Sequence, residues 1–232
     1  MNREFIELQG SVPIYISYLS DNDDDNAMLY SLLDQVDGFL FTGGNLTLVD
    51  RESGEVHAYY RTAKKVIEYA KKRKDERGIE FPILAICQGF ELLGIYVNDD
   101  SKDVLKDVEC VAKQRKTEWQ KPLDEVRATW RLFRDFDQDI IEKMAEEPSV
   151  IHFHKWGFPL TDYLESKGFT EFFNLISINT LDNGVQFPTA FEAQRYPIYC
   201  VLYHPEYNMV LNKSDKTLRI ANSFSKILSS QG

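Results

Sequence analysis

Three residues have the types and surroundings needed for nucleophilic chemistry: Cys87, His204 and Glu206. Cys87 closes the apolar run FPILAIC, and Gly89 follows two positions later. A strand that turns sharply into a helix projects the residue at its tip out of the sheet. The helix that starts there aims its N–H groups and positive dipole end at that residue. The expectation is a thiol ionising below its usual pKa of about 8.5, with the same N–H groups able to hold an oxyanion. His204 and Glu206 lie two apart in YHPE, just past another apolar run, where both side chains can turn to one side. A carboxylate on one imidazole nitrogen fixes the tautomer. The other nitrogen is then free to take a thiol proton and return it to a leaving group. Gly43 and Gly44, in TGGN, leave a backbone N–H unobstructed by any side chain.

These residues need a scaffold that brings distant segments together. Residues 4–10 (EFIELQG) read as the last turns of a helix stopped by Gly10, and 12–16 (VPIYI) as a strand. Residues 27–36 look helical, 37–41 form a strand, and 59–77 carry the period of a long helix ended by Gly78. A strand over 81–86 and a helix over 89–97 follow. Strand signals recur at 150–154 and 196–203, and Asp182-Asn183-Gly184 joins two strands as a hairpin. Residues 215–229 close the chain as an amphipathic helix, while 100–135 give no clear pattern. Alternating strands and helices predict an α/β fold: one three-layer domain over 1–232 with a mostly parallel central sheet flanked by helices, plus a β-hairpin. Ligands of such sheets gather beyond the carboxyl ends of the strands. TGGN, Cys87 and His204 each follow a predicted strand.

With 232 residues and 43% hydrophobic residues, the chain can build a full core. Its formal net charge of −10 argues against a nucleic-acid partner. An anionic substrate would need local cations, with Lys155 and Arg195 as candidates. No apolar run approaches the roughly 18–20 residues of a membrane span, and MNREFIELQG has no signal-peptide core. Cys87, Cys110 and Cys200 form neither a disulfide framework nor a metal pair, so no cofactor or metal is expected. Cys110 and Cys200 read as packing residues, and His57 and His152 as structural. The acidic run at 21–26 reads as a solvated helix entry. The sequons at Asn45 and Asn212 carry little weight. His154, at a strand end, and Glu91, about one helical turn after Cys87, are each open to a structural or a site role.

FPILAICQGFELL, FTGG, HKW and YPIYCVLYHPE together resemble the gamma-glutamyl hydrolases of the class I glutamine amidotransferase-like superfamily. That family's nucleophile segment reads much like PVWGTCLGFEEL and its histidine segment like YPVYGVQWHPE. HKW marks this hydrolase branch, whereas Cys-x-Gly and HPE are shared across the superfamily. The resemblance implies Cys87 as nucleophile, His204 as catalytic histidine and Glu206 as triad acid. It places Gly44 and Gln88 at the oxyanion-hole amides, with Gly43 beside them, and links His154 and Glu91 to the site. Gln88 stands where the family has Leu, a mild change if only its backbone acts.

The implied reaction is cysteine-dependent hydrolysis of γ-glutamyl bonds in poly-γ-glutamates such as folate polyglutamates, through a thioester. The implied partner is that small-molecule substrate, with a homodimer the one assembly entertained. The alternatives are a glutaminase subunit serving a separate synthetase, and a catalytically silent relative that binds γ-glutamyl conjugates. The resemblance also implies a secreted or vacuolar/lysosomal protein. It further implies a strand and most of a helix ahead of Met1, so either a truncated copy of a family sequence or an incomplete relative is expected.

Overall fold

Side chains along two strands alternate between two separate cores. The computed structural model describes residues 1–18, 23–50, 52–210 and 215–228. Ile83 and Ala85 face one hydrophobic cluster, Leu84 and Ile86 the other. Ile198, Cys200 and Leu202 likewise face the first, and Tyr199, Val201 and Tyr203 the second. Strands covered on both faces read as continuous apolar runs, which is why these segments were legible.

The strands in chain order are β1 (Phe39–Phe41), β2 (Ile83–Ile86), β3 (Lys106–Arg115), β4 (Glu118–Trp119), β5 (Val150–Gly157), β6 (Phe173–Thr180), β7 (Gln186–Ala193) and β8 (Ile198–Val201). The central sheet has the order β1-β2-β8-β7-β6-β4. β1, β2 and β8 pair in parallel, and the β6–β7 hairpin and β4 continue the sheet by antiparallel pairing. β6 therefore points the same way as the parallel trio, so most strands of this sheet share one direction. β3 and β5 form a separate antiparallel ribbon.

Helices cover both faces. On one lie α2 (Asp23–Leu33), α3 (Ala58–Arg77), α4 (Gln88–Val97), α7 (Leu160–Glu165) and α8 (Lys167–Phe172). On the other lie α1 (Asn2–Glu7), α5 (Val126–Thr129), α6 (Gln138–Glu146) and α9 (Asp215–Lys226). The expected three-layer α/β architecture is thus observed. α3 ends at Gly78 in the left-handed conformation, φ +68°, as its glycine stop predicts. His57 caps the start of α3, its Nδ1 accepting from the Tyr59 N–H at 3.1 Å, which is the structural role expected of it. Gly184 takes φ +86° in the 182–184 turn. Among the described residues, no helix is long and apolar enough to cross a membrane.

One predicted strand is absent. Residues 12–16 form no ladder, and Val12 and Tyr15 are 84% and 76% exposed. Their β-rich composition meets no partner strand and buries no face, so nothing offsets the entropy of fixing the segment. Within the unreadable 100–135 stretch lie β3, β4 and α5, broken by positive-φ residues and a bulge at Ala112 that disrupt any simple period. The acidic run at 21–26 falls partly outside the described residues, and the sequon at Asn212 lies wholly outside them.

Candidate functional site

The carboxyl ends of three neighbouring strands carry the site. TGGN follows β1, Cys87 follows β2 and His204 follows β8, and β1, β2 and β8 are adjacent in the sheet. Parallel pairing from Phe39↔Ile83 through Ile86↔Val201 puts their ends level.

Cys87 sits between β2 and α4 with φ +52° and ψ −103°, close to the first central position of a type II′ turn. A non-glycine residue is strained there, and the strain is held by bonds on both sides. The Cys87 N–H donates to the Val201 carbonyl at 2.9 Å, and the Glu91 N–H donates to the Cys87 carbonyl at 3.1 Å. Gly89 is set by close approach: a Cβ there would lie 2.7 Å from Phe41 Cβ and 2.8 Å from its carbonyl oxygen.

His204 opens the short 3₁₀ turn Pro205–Met209, and its imidazole is turned back over the sheet rim. Its Nδ1 lies 2.7 Å from Glu206 Oε1, while Nε2 has no protein partner. Phe153 and Tyr207 pack edge-on against the ring. Gly43 is wedged between the two candidates. A Cβ on it would fall 2.6 Å from His204 Cε1 and 3.4 Å from Cys87 Cβ. Cys87 and His204 are therefore near neighbours across that glycine.

The thiol differs from its expectation. Cys87 is only 3% exposed, and its pKa is pushed up to about 12 instead of down. Burial is the main cause, followed by the charges of Glu91 and Glu206. The backbone N–H groups of Gln88 and Gly44 point at the sulfur and pull the other way, but do not prevail. At neutral pH the resting residue is a thiol. Helix-dipole reasoning from sequence could see the donors but not the depth of burial that outweighs them.

Gln88 does more than lend its backbone. Its side-chain Nε2 donates to the Leu46 carbonyl at 2.7 Å, and its Oε1 accepts from the Leu46 N–H at 3.2 Å. This clamp holds the TGGN loop against α4, and a Cβ on Gly44 would meet Gln88 Oε1 at 2.6 Å. Leu in its place could not make either bond.

A cavity of about 630 Å³ opens in front of Cys87, bordered by Gly44, Gln88, Glu91, His154, Lys155 and Trp156. Lys155 lies over the Trp156 ring and 3.9 Å from Asp107. Lys102, which sequence reasoning did not single out, also borders the cavity and donates to the Asp50 carbonyl. Arg195 does not reach it. That residue precedes β8 at the far end of the sheet and pairs with Asp75 at 3.2 Å. His154 borders the cavity but bonds to His152, not to the Cys87–His204 pair. Cys200 is a packing residue, fully buried in β8. Cys110 and His152, expected to be inert, instead meet each other beside His154.

Glu91 is buried in the first turn of α4, and burial raises its pKa to about 8. Between its ordinary value of 4.5 and about 8, the folded chain keeps this proton and the unfolded chain does not. Stability must therefore fall as pH rises through that window, by on the order of 3 kcal/mol at neutral pH. Glu91→Gln is expected to flatten this slope between pH 4.5 and 8. Denaturant unfolding across pH measures it, and an unchanged slope would show that Glu91 is not held neutral.

An elbow cysteine, an imidazole bonded to a carboxylate and two amides aimed at one sulfur make this strand rim the candidate site of an α/β sheet, with the groups that cysteine-nucleophile chemistry would require. The chain belongs to the peptidase C26 family, whose profile matches residues 1–206. Among curated relatives it is 32% identical over 207 residues to a gamma-glutamyl hydrolase of Bos taurus, covering 88% of this chain and 58% of that one. It is 28% identical to a gamma-glutamyl hydrolase of Rattus norvegicus, with the same coverage. It is 26% identical to gamma-glutamyl hydrolase 1 of Arabidopsis thaliana, covering 88% and 54%. The chain thus spans little more than half the length of these relatives. A solved structure of a candidate GMP synthase subunit from Thermoplasma acidophilum superposes with a TM-score of 0.48 at 17% identity, covering 88% of this chain and 79% of that one.

Proposed function

We propose that this chain hydrolyses γ-glutamyl bonds in poly-γ-glutamates, folate polyglutamates among them, through a thioester on Cys87. The observation that carries the reading is the placement of Cys87, the His204–Glu206 pair and the Gly44 and Gln88 amides at three adjacent strand ends, in a chain of this family.

The proposed cycle follows from the protonation states. Cys87 rests as a thiol, so His204 Nε2 takes its proton as the sulfur attacks the γ-carbonyl. Glu206 on Nδ1 keeps Nε2 unprotonated beforehand and stabilises the imidazolium afterwards. The Gly44 and Gln88 N–H groups receive the oxyanion, each worth on the order of 3 kcal/mol of barrier. The imidazolium gives its proton to the departing glutamate amine, which leaves an acyl thioester on Cys87. Water, deprotonated by the same nitrogen, adds to that thioester; the sulfur leaves and recovers its proton. Lys102 and Lys155 at the cavity rim suit the substrate's carboxylates.

Incubation with pteroyl-penta-γ-glutamate, and separately with glutamine, tests the reading by mass spectrometry of products. Shortened pteroyl-glutamate chains are expected. Ammonia from glutamine with the pteroyl chain intact would favour a glutaminase, and no product from either would overturn an enzymatic role. The Gln88 clamp gives a finer test. Gln88→Ala frees the Leu46 loop and is expected to lower kcat about tenfold with KM little changed, the loss of about 1.4 kcal/mol expected for two hydrogen bonds that place one oxyanion donor. An unchanged kcat would mean the loop holds itself.

A further inference from the structure

A second group of ligand-type side chains, which the proposed reaction does not use, starts at His154 on the cavity border and runs inward from it. Cys110 on β3 and His154 on β5 are cross-strand partners, and His152 lies two residues earlier on the same strand face as His154. Cys110 Sγ and one ring nitrogen of each histidine all fall within 4.8 Å of one another. The three residues are 1%, 0% and 3% exposed. His152 Nδ1 and His154 Nε2 are 3.0 Å apart. That contact leaves His154 Nδ1 without a protein partner, and His152 Nε2 meets none in hydrogen-bonding geometry, although the Asn179 amide lies alongside.

We propose that Cys110, His152 and His154 form a binding site for one thiophilic divalent cation of the Zn²⁺ class. A core position filled only for packing would favour an aliphatic side chain, because buried polar atoms without partners cost stability. Here two imidazoles and a thiol replace it, and they supply the soft N₂S donor set that selects zinc and cobalt over magnesium and calcium. The surrounding shell is also in place. Arg115 Nε donates to Cys110 Sγ at 3.2 Å, and its own Nη1 is anchored on the Thr180 carbonyl at 2.9 Å. Such an outer hydrogen bond orients a ligating thiolate. On binding, Cys110 gives up its proton to solvent, the sulfur bonds the cation, and Arg115 remains on the sulfur. Three protein ligands leave a fourth position for water.

The full chain, stripped with a chelator and titrated with Co²⁺, tests the site. One equivalent should bind, with a thiolate-to-cobalt charge-transfer band in the near ultraviolet, and Zn²⁺ should displace it one for one. Cys110→Ser should abolish the band, and His152→Asn should weaken Co²⁺ binding at least tenfold. Cys87→Ser should leave both unchanged, which separates this site from the neighbouring thiol. Circular dichroism of each variant guards against loss of fold, and the wild-type titration stands without any variant. Absence of saturable Co²⁺ binding would overturn the proposal. So would a band that survives Cys110→Ser and disappears in Cys87→Ser.

Discussion

Cys87→Ala is expected to lower kcat/KM for γ-glutamyl hydrolysis by ~10⁴-fold or more, the scale seen when a triad nucleophile is removed. The proposed oxyanion donors survive the change, because the N–H groups of Gly44 and Gln88 that point at the sulfur belong to the backbone. A small residual rate can persist for that reason. The folded state should be little affected, because the Cys87 N–H on the Val201 carbonyl and the Glu91 N–H on the Cys87 carbonyl hold the elbow and both survive the change. Steady-state kinetics beside thermal melting separate the two effects. Activity within tenfold of wild type would remove Cys87 from the reaction.

The second large effect is expected at a residue with no functional group. Gly43→Ala places a methyl 2.6 Å from His204 Cε1, closer than carbon atoms pack. The imidazole has little room to yield, because Glu206 holds Nδ1 and Phe153 and Tyr207 pack on the ring. If His204 is the proposed base, displacing it by about 1 Å costs on the order of 10²-fold, so kcat should fall by that much or more while KM stays close to wild type. Gly44→Ala should cost less. The methyl there meets only the tip of the Gln88 side chain, which can swing away and give up its bonds to Leu46. Kinetics on the two variants side by side check the ordering. If both lose activity equally, the glycines serve only to shape the loop.

What could be read from sequence follows from what leaves a local trace. β2 and β8 were legible because burial on both faces gives unbroken apolar runs, and α3 because its apolar stripe ends at Gly78. The elbow was legible because Gly89 must admit Phe41 at close range. Residues 12–16 misled because strand composition says nothing about whether a partner strand lies alongside. The thiol's protonation state was misjudged because burial, the largest cause of its raised pKa, is not a local property of the sequence. Gln88 looked like a mild replacement for Leu, and its clamp on Leu46 depends on a loop 42 residues earlier. Cys110 and His152 looked inert for the same reason. Only the β3–β5 register, with its bulge at Ala112, brings them together.

The covalent step is the claim on which the functional account turns, and partitioning with hydroxylamine tests it most directly. During turnover of pteroyl-di-γ-glutamate, a thioester on Cys87 should be intercepted. The γ-hydroxamate of pteroylglutamate should then grow with hydroxylamine concentration at the expense of the free acid. Release of glutamate with only the free acid as its partner, at every hydroxylamine concentration, would contradict an acyl-enzyme.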